Sequence, residues 1–569
     1  MPETNRLLEH VVLKLNGSPN DELMRDVMEV VVESSLQLPE MAVVTVHDTR
    51  LRWADASALD PGTELEISGR SEAGEGTLFR GEIVALEPDF TAGAQKLVIR
   101  AFDKAHRLTR IRKSATYINV KDSDIVSRLA GEAGVPVQVD TTRTVHQHVY
   151  QHGQTHWEFL RERTAPLGFV MYGRLGTLHC RKPVATGPEI ELRWGSTLLE
   201  FRPALTTVGQ HAQDVARGWD YAQKRAVEEV KAAGEGAPAI GESRTGQALA
   251  DRLVAGTQRV VVHRVYREQS YAAEVVAGAA DQRTTAFVEA EGKCKGDPRL
   301  VAGAKAKVAN IGTRFSGSYL VTSARHVFDQ AQQGYTTEFT VSGHHLPSVR
   351  EALLGGTPAP RMADHLVIGI VTNNQDPDNL GRVKVKFPWL DEQQESNWAR
   401  VLGLGGGKDR GILYLPEIDD EVLVGFELGD VDHPYVLGGL WNGVDGLPEP
   451  QGTLLEGSKV KRRIHKSRDG HFLVFEDADG AGGITIQDRK GNVLKVESSN
   501  DTMTVTMAGD IVMEAQQNVT IRANRDLTLA ANGNVSIEAG QELQMSASMG
   551  ATLDGGAKVD VKGGMINLN

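Results

Sequence analysis

Between Glu476 and Asn569 the chain has no Phe, Trp, Tyr, Pro or Cys, so the stretch lacks the aromatic side chains that a globular core of this length would use. Apolar residues return instead every eight positions: Ile511, Val519, Leu527, Val535, Leu543, Ala551 and Val559. A second series follows two residues later: Met513, Ile521, Leu529, Ile537, Met545, Leu553 and Val561. Met503 and Val505 extend the register backwards. A spacing of two puts both members of each pair on one face of a strand. A polar or turn-type residue precedes most pairs: Asp510, Asn518, Asp526, Asn534 and Glu542. A fixed period of this kind marks a repeat architecture.

Two inward side chains per octad cannot close a core within one chain. A monomeric solenoid with three octads per coil would have fewer than about three coils here, and repeat folds need about three units. Three chains wound round one axis solve both problems. Each supplies one edge of a triangular prism, the inward pairs meet on the axis, and every strand edge is paired. The pattern therefore predicts a homotrimeric β-helix. A flat sheet or a low-complexity tail would not keep the alternation over seven octads. The register slips only at the end, where Ile566 and Leu568 sit one residue out after Gly563-Gly564, as a cap would.

A chain of 569 residues holds several domains. With 62 basic against 75 acidic residues, its formal charge of −13 argues against coating nucleic acid. Cys180 and Cys294 are too few for a disulfide framework and fit a reducing compartment. The N-terminus leads into no long apolar run, so no secretory signal is expected, and no stretch reads as a membrane span.

The middle of the chain reads as short strands with turn signals, the pattern of a small barrel. Val367–Val371, Arg382–Phe387, Trp398–Val401, Gly411–Pro416 and Glu421–Phe426 are the five expected strands. Gly381-Arg382-Val383-Lys384-Val385-Lys386-Phe387-Pro388-Trp389 resembles the signature of the VgrG and phage-baseplate spike family of contractile injection machines. Trp398, Pro416, Glu421, Gly429, Asp430 and Pro434 follow in the family's order. The resemblance implies an OB-fold between a tube-facing hub and a needle, its signature residues structural in role. The nucleic-acid reading of OB-folds does not transfer, because no aromatic-and-basic binding face is evident.

Residues 1–355 fit the hub of the same family, implied to be two barrel-like subdomains. Strands are expected at Thr77–Val84 and Gln95–Asp103, and helices over Asp122–Ala133 and Thr155–Thr164. Asp122 or Ser123 is the expected N-cap of the first helix, and Gly134 its stop. His156-Trp157-Glu158-Phe159-Leu160-Arg161 is similar to a family helix, but Thr155-His156 replaces the usual acidic turn. Residues 205–285 are the least readable: composition allows a helix over Val215–Ala232, whereas the resemblance places strands near Gly218-Trp219-Asp220. The expected organisation is a hub at 1–355, an OB-fold at 356–448, a neck and start of the needle at 449–500, and the octad needle at 501–569. The fold class is mainly β, with a few helices in the hub.

Little in the sequence supports catalysis. His146, His148, His152 and His156 lie close together, but no cysteine or carboxylate pattern completes a metal site. They read as solvated or interface histidines. Lys459, Lys461, Arg462, Arg463, Lys466 and Arg468 read as a solvated neck. Leu404-Gly405-Gly406-Gly407-Lys408 lacks the phosphate-loop spacing. A trimeric β-helix depolymerase would need aromatic sugar platforms, which the needle lacks. The resemblance implies a non-enzymatic central spike with no cofactor, made in the bacterial cytoplasm and released with the injection particle. An extracellular injection system is the preferred machine, with a type VI VgrG or a phage tail spike as alternatives. Implied partners are two further copies, the inner tube and baseplate hub proteins, effectors, and a PAAR-type tip protein docked at Met565, Ile566, Leu568 and Asn569. Contact with the target membrane would be transient.

Overall fold

A computed structural model describes residues 10–91, 94–220, 223, 225–261, 264–331, 334–341, 365–388 and 390–568. Trp389, Asn569 and the expected boundary at 355/356 lie outside the described residues. The chain divides into two units, Met1–Asp445 and Gly446–Asn569.

The first unit is built on a long, largely antiparallel sheet. Leu38–His47 alternates strictly, with Glu40, Ala42, Val44 and Val46 buried on one face. It pairs with Val27–Ser35 on one side and Ala94–Phe102 on the other. Gly74–Thr91, Glu64–Ser71 and Val11–Leu15 continue that side. Val27–Ser35 also pairs with Gly317–Asp329, with Val31 opposite Val327. Gly334–Val341, Val288–Lys295 and Leu198–Leu205 then complete the order. Early and late hub segments thus share one core, in which Leu13, Val30, Phe79, Ile99, Leu300 and Phe328 are buried. The residues between them form a second body around Leu108, Val126, Leu129, Val149, Leu160 and Leu178. The two hub bodies are nested in sequence, not consecutive.

The described helices of the hub are α1 (Asp21–Asp26), α2 (Asp122–Glu132), α3 (His156–Thr164), α4 (Gly246–Ala250) and α5 (Gln269–Thr285). α2 ends before Gly134, whose φ of 65° only glycine adopts readily. Its cap differs from expectation: Asp122 and Ser123 lie inside the first turn, and the capping position is Lys121. The Lys121 N–H donates to the Asp124 carboxylate at 3.3 Å. Asp122 is unavailable as a cap because its carboxylate is held by other side chains. At α3, Thr155 Oγ1 accepts from the Glu158 N–H and the Glu158 carboxylate accepts from the Thr155 N–H, at 3.2 and 2.9 Å. This capping box does the work of the missing acidic turn.

The ambiguous segment is a hairpin, Gln213–Asp220 with Arg225–Lys231, so the strand reading holds there and the helix does not. α5, unread in the sequence, packs on it through Ala272, Val275 and Val276 against Ala216, Val227 and Tyr266.

The barrel closes through five strands. Val367–Asn373 pairs with both Glu421–Phe426 and Arg382–Phe387. Ala399–Val401 pairs with Arg382–Phe387 and, in parallel, with Pro434–Gly439, which returns to Glu421–Phe426. Val371, Val383, Val385, Phe387, Ala399, Val422, Val424 and Val436 fill the interior. The expected strand Gly411–Pro416 is not a barrel strand. Arg410–Ile412 pairs only with Leu404–Gly407, in a ribbon outside the barrel. Pro434–Gly439 takes the vacant place, because its alternation buries Pro434 and Val436 where Leu413 and Leu415 stay exposed.

In the second unit a short hairpin, Leu455–Glu456 with Lys459–Val460, precedes an antiparallel meander. The meander runs Arg462–Lys466, Phe472–Glu476, Gly483–Gln487, Val493–Glu497 and Thr502–Thr506. From 507 to 568 no strand is paired within the chain and every residue is exposed.

Candidate functional site

Isolated from partners, the octad ladder is an uncovered apolar face. Ile511, Val519, Ile521, Leu527, Leu529, Val535, Ile537, Leu543, Leu553, Val559 and Val561 are all exposed, and Met513 and Met545 are 73% and 78% exposed. Such a face on an ordered chain marks an interaction surface. The backbone makes the same demand. Among the described residues of 507–568, the one backbone–backbone hydrogen bond is Lys558 N–H to the Gly555 carbonyl at 3.1 Å. Peptide groups on this scale are otherwise paired in folded proteins. A third register series was missed in the sequence reading: Ala515, Ala523, Ala531, Ala539, Ala547, Gly555 and Gly563, again eight apart. Each follows its apolar pair by two and keeps the strand alternation. A side chain no larger than methyl lets a neighbouring backbone approach closely. At the end, Met565, Ile566 and Leu568 are 82%, 49% and 92% exposed.

In the first unit, the hub grips the barrel through the strand Val145–Thr155. Its Tyr150 ring is buried within the barrel's own core, with its centroid 6.4 Å from that of Phe387. The Tyr150 N–H donates to Asp432 Oδ1 at 2.7 Å. His148 Nε2 lies 3.2 Å from the Glu395 carbonyl, and the Thr116 N–H donates to Gln394 Oε1 at 2.9 Å. Arg267 Nη2 reaches Glu427 Oε2 at 3.2 Å. Behind these contacts lies Asp122, which is 1% exposed. Its oxygens accept from Arg163 Nε and contact His146 Nε2, each at 2.8 Å. Arg163 Nη1 then lies 3.7 Å from Asp432 Oδ2. Burial alone would raise the Asp122 carboxyl; the Arg163 guanidinium and His146 outweigh it and hold the group below the usual carboxylate range.

Three of the four histidines have separate surroundings, and the fourth, His152, is half-buried on the strand Val145–Thr155. His146 meets Asp122 and His148 meets the barrel. His156 is fully buried, its Nδ1 3.2 Å from Gln151 Nε2. Burial, then Lys113, lowers its pKa and favours the neutral ring. Among the described residues no group of three or more His, Cys, Asp or Glu side chains is placed to hold a metal. In the neck, Arg462 bridges Glu449 and Glu476 at 2.7 and 3.0 Å, and Arg463 pairs with Asp477.

The barrel signature residues serve the barrel itself. Gly381 has φ 69° at the turn into Arg382–Phe387, and Val383, Val385 and Phe387 point inward. Arg382 is a buried clamp: its Nε donates to Asp376 Oδ2 at 2.9 Å, and its Nη2 to Asp376 Oδ1 and Asp378 Oδ2, each at 2.6 Å. The Trp398 ring lies 5.8 Å from the Arg382 guanidinium and 5.4 Å from Lys384 Nζ. The Pro416 carbonyl accepts from Asn374 Nδ2 at 3.3 Å, and Glu421 from Asn442 Nδ2 at 3.1 Å. Gly429, with φ 69°, and Asp430 shape the turn before buried Pro434. Asp430 Oδ2 lies 3.2 Å from His433 Nδ1. Pro388 is exposed.

Comparison with known proteins agrees with this geometry. Residues 6–330 match the family described as Alg8 N-terminal domain, more than half of the chain. Residues 367–441 match the type VI secretion system/phage-baseplate injector OB domain. The chain is 30% identical over 117 residues to the type VI secretion system spike protein VgrG3 of Vibrio cholerae, covering 20% of this chain and 12% of that protein. It is 33% identical over 129 residues to spike protein VgrG1b of Pseudomonas aeruginosa, covering 21% and 17%. The matched stretches are thus under a fifth of either relative's length. A VgrG-containing structure, the half-lidded Francisella PdpA-VgrG complex, shares the fold over 87% of each chain, with a TM-score of 0.53 and 8% identity.

Proposed function

We propose that this chain, which belongs to the family described as Alg8 N-terminal domain, is a VgrG-like central spike of a contractile injection machine, a reading supported by its match to the injector OB domain and its likeness to VgrG spike proteins. Three copies cap the inner tube within the baseplate through their hubs. The octads wind into one stiff needle that concentrates the thrust of sheath contraction on a small area of the target envelope. The observation that carries this reading is the stretch 507–568, in which the apolar ladder lies uncovered and the backbone makes, among the described residues, a single backbone–backbone hydrogen bond, from Lys558 to Gly555. Covering each branched side chain contributes about 1.5–3 kcal/mol, and interchain pairing satisfies the peptide groups.

In this reading the spike acts mechanically and is not an enzyme. Met565, Ile566 and Leu568, with Asn569, dock a PAAR-type tip protein, and effectors travel on the tip or in the tube. The protein is made and assembled in the bacterial cytoplasm and leaves with the particle. The machine is an extracellular injection system, with type VI and phage tails the alternatives. Static light scattering on full-length protein tests the core of the proposal. Three copies of a 61.7-kDa chain give about 185 kDa. A stable, folded monomer would overturn it.

A further inference from the structure

We infer that the barrel's excursion over 402–420 is a clasp that seats on the acidic turn of a second copy of this chain. The inference rests on the trimeric spike reading and adds a contact outside the needle. Between Ala399–Val401 and Glu421–Phe426 the chain leaves the barrel. Its two short strands, Leu404–Gly407 and Arg410–Ile412, pair only with each other. Every residue from 402 to 420 is exposed except half-buried Pro416. Leu402, Leu404, Ile412 and Leu413 are 64%, 72%, 48% and 77% exposed.

A lone two-stranded ribbon is marginal in water. Excursions of this length with so little packing are uncommon and usually functional, and clustered apolar exposure marks a contact surface. Charge points to the occupant. The ribbon's turn carries exposed Lys408 and Arg410 on either side of exposed Asp409, a net positive charge. The same barrel presents Asp419 and Asp420 beside Ile418, which is 55% exposed. Among the described residues, Lys408 and Arg410 pair with neither carboxylate of their own chain. An apolar ribbon with a basic tip thus matches an acidic turn with an apolar centre, and one chain carries both. A head-to-tail contact of this kind closes into a ring when the rotation permits. Three copies sharing a needle hold their barrels at high effective concentration, so a modest contact suffices.

The test uses full-length protein with Leu413→Cys and, in a differently tagged chain, Asp419→Cys; the native Cys180 and Cys294 are buried. The two chains are co-expressed and treated with a short bis-maleimide. A covalent pair carrying both tags is expected. Maleimide labelling of Leu413→Cys is expected to run at least tenfold slower than that of Glu72→Cys, an exposed hub position. A trimeric mass with control-rate labelling and no mixed pair overturns the clasp and leaves the spike reading standing. A monomeric mass overturns both. Protection that arises only when a tube or baseplate protein is added overturns the clasp in favour of a different occupant.

Discussion

Single buried charges in the hub set two opposite pH dependences. Asp122 is ionised in the fold, paired with Arg163 and His146. Its folded pKa lies below its ordinary value, so its contribution is fully present above about pH 4 and is lost as pH falls through the folded value. Arg163→Met leaves that carboxylate buried and under-compensated, and is expected to cost about 3–5 kcal/mol, read from urea midpoints at pH 7. Glu40 and Asp103 behave in reverse. Burial pushes Glu40 up to about 8 against the opposing pull of Arg174, and burial pushes Asp103 up to about 7. The folded chain keeps these protons while the unfolded chain releases them near the ordinary carboxylate range, so stability declines as pH rises from there towards 8. Glu40→Gln removes one ionising group, and its melting temperature is expected to fall less than that of the wild type between pH 5 and 8. An identical slope in the two proteins would remove Glu40 from the account. None of this was legible in sequence. Asp122 reads as a helix cap until the fold brings Arg163, forty-one positions away, beside it.

Secondary-structure elements were legible where their pattern is local and illegible where a distant partner decides. The octads declare their period, and Arg382–Phe387 declares a strand by alternation alone. Gly411–Pro416 has equally strand-like composition yet lies outside the barrel, because apolar alternation does not distinguish a closed sheet from an exposed ribbon. The nested hub depends on Val31 meeting Val327, a pairing no sequence window contains. α5 was passed over although Ala272, Val275, Val276, Ala279 and Ala280 are spaced for a helix face. Its contact is close: a Cβ at Gly278 would lie 2.5 Å from the Gly168 backbone nitrogen and from the Pro166 carbonyl oxygen. Gly278→Leu is therefore expected to lift α5 from its seat, at about 1–3 kcal/mol or more, with faster amide exchange over 269–285. In the proposed three-chain needle, Ile537→Asp would place three carboxylates round one axis, an uncompensated burial of like charge. The expected result is loss of trimer at micromolar concentration and protease cleavage within 507–568. Unchanged assembly would remove Ile537 from the axis.

Across the first unit, the strand Val145–Thr155 belongs to the hub by its pairing with Arg112–Lys121 and to the barrel by Tyr150. In the proposed spike, thrust entering the hub would reach the barrel through a shared core residue and through the polar links around it. The arrangement makes a thermodynamic statement as well as a mechanical one, since two bodies that share a core side chain unfold together. Tyr150→Ala opens a cavity in the barrel core, with an expected cost of about 3–5 kcal/mol by analogy with large aromatic truncations. Asp432→Ala removes the acceptor of the Tyr150 N–H and the second carboxylate near Arg163. The two changes share partners, so their effects are expected not to add. In calorimetry of the full-length protein, hub and barrel should melt in one transition in the wild type and in two in the double variant, the barrel first. A single transition in the double variant would locate the coupling elsewhere, in the Thr116–Gln394 and Arg267–Glu427 contacts, and would make Tyr150 a packing residue of the barrel alone.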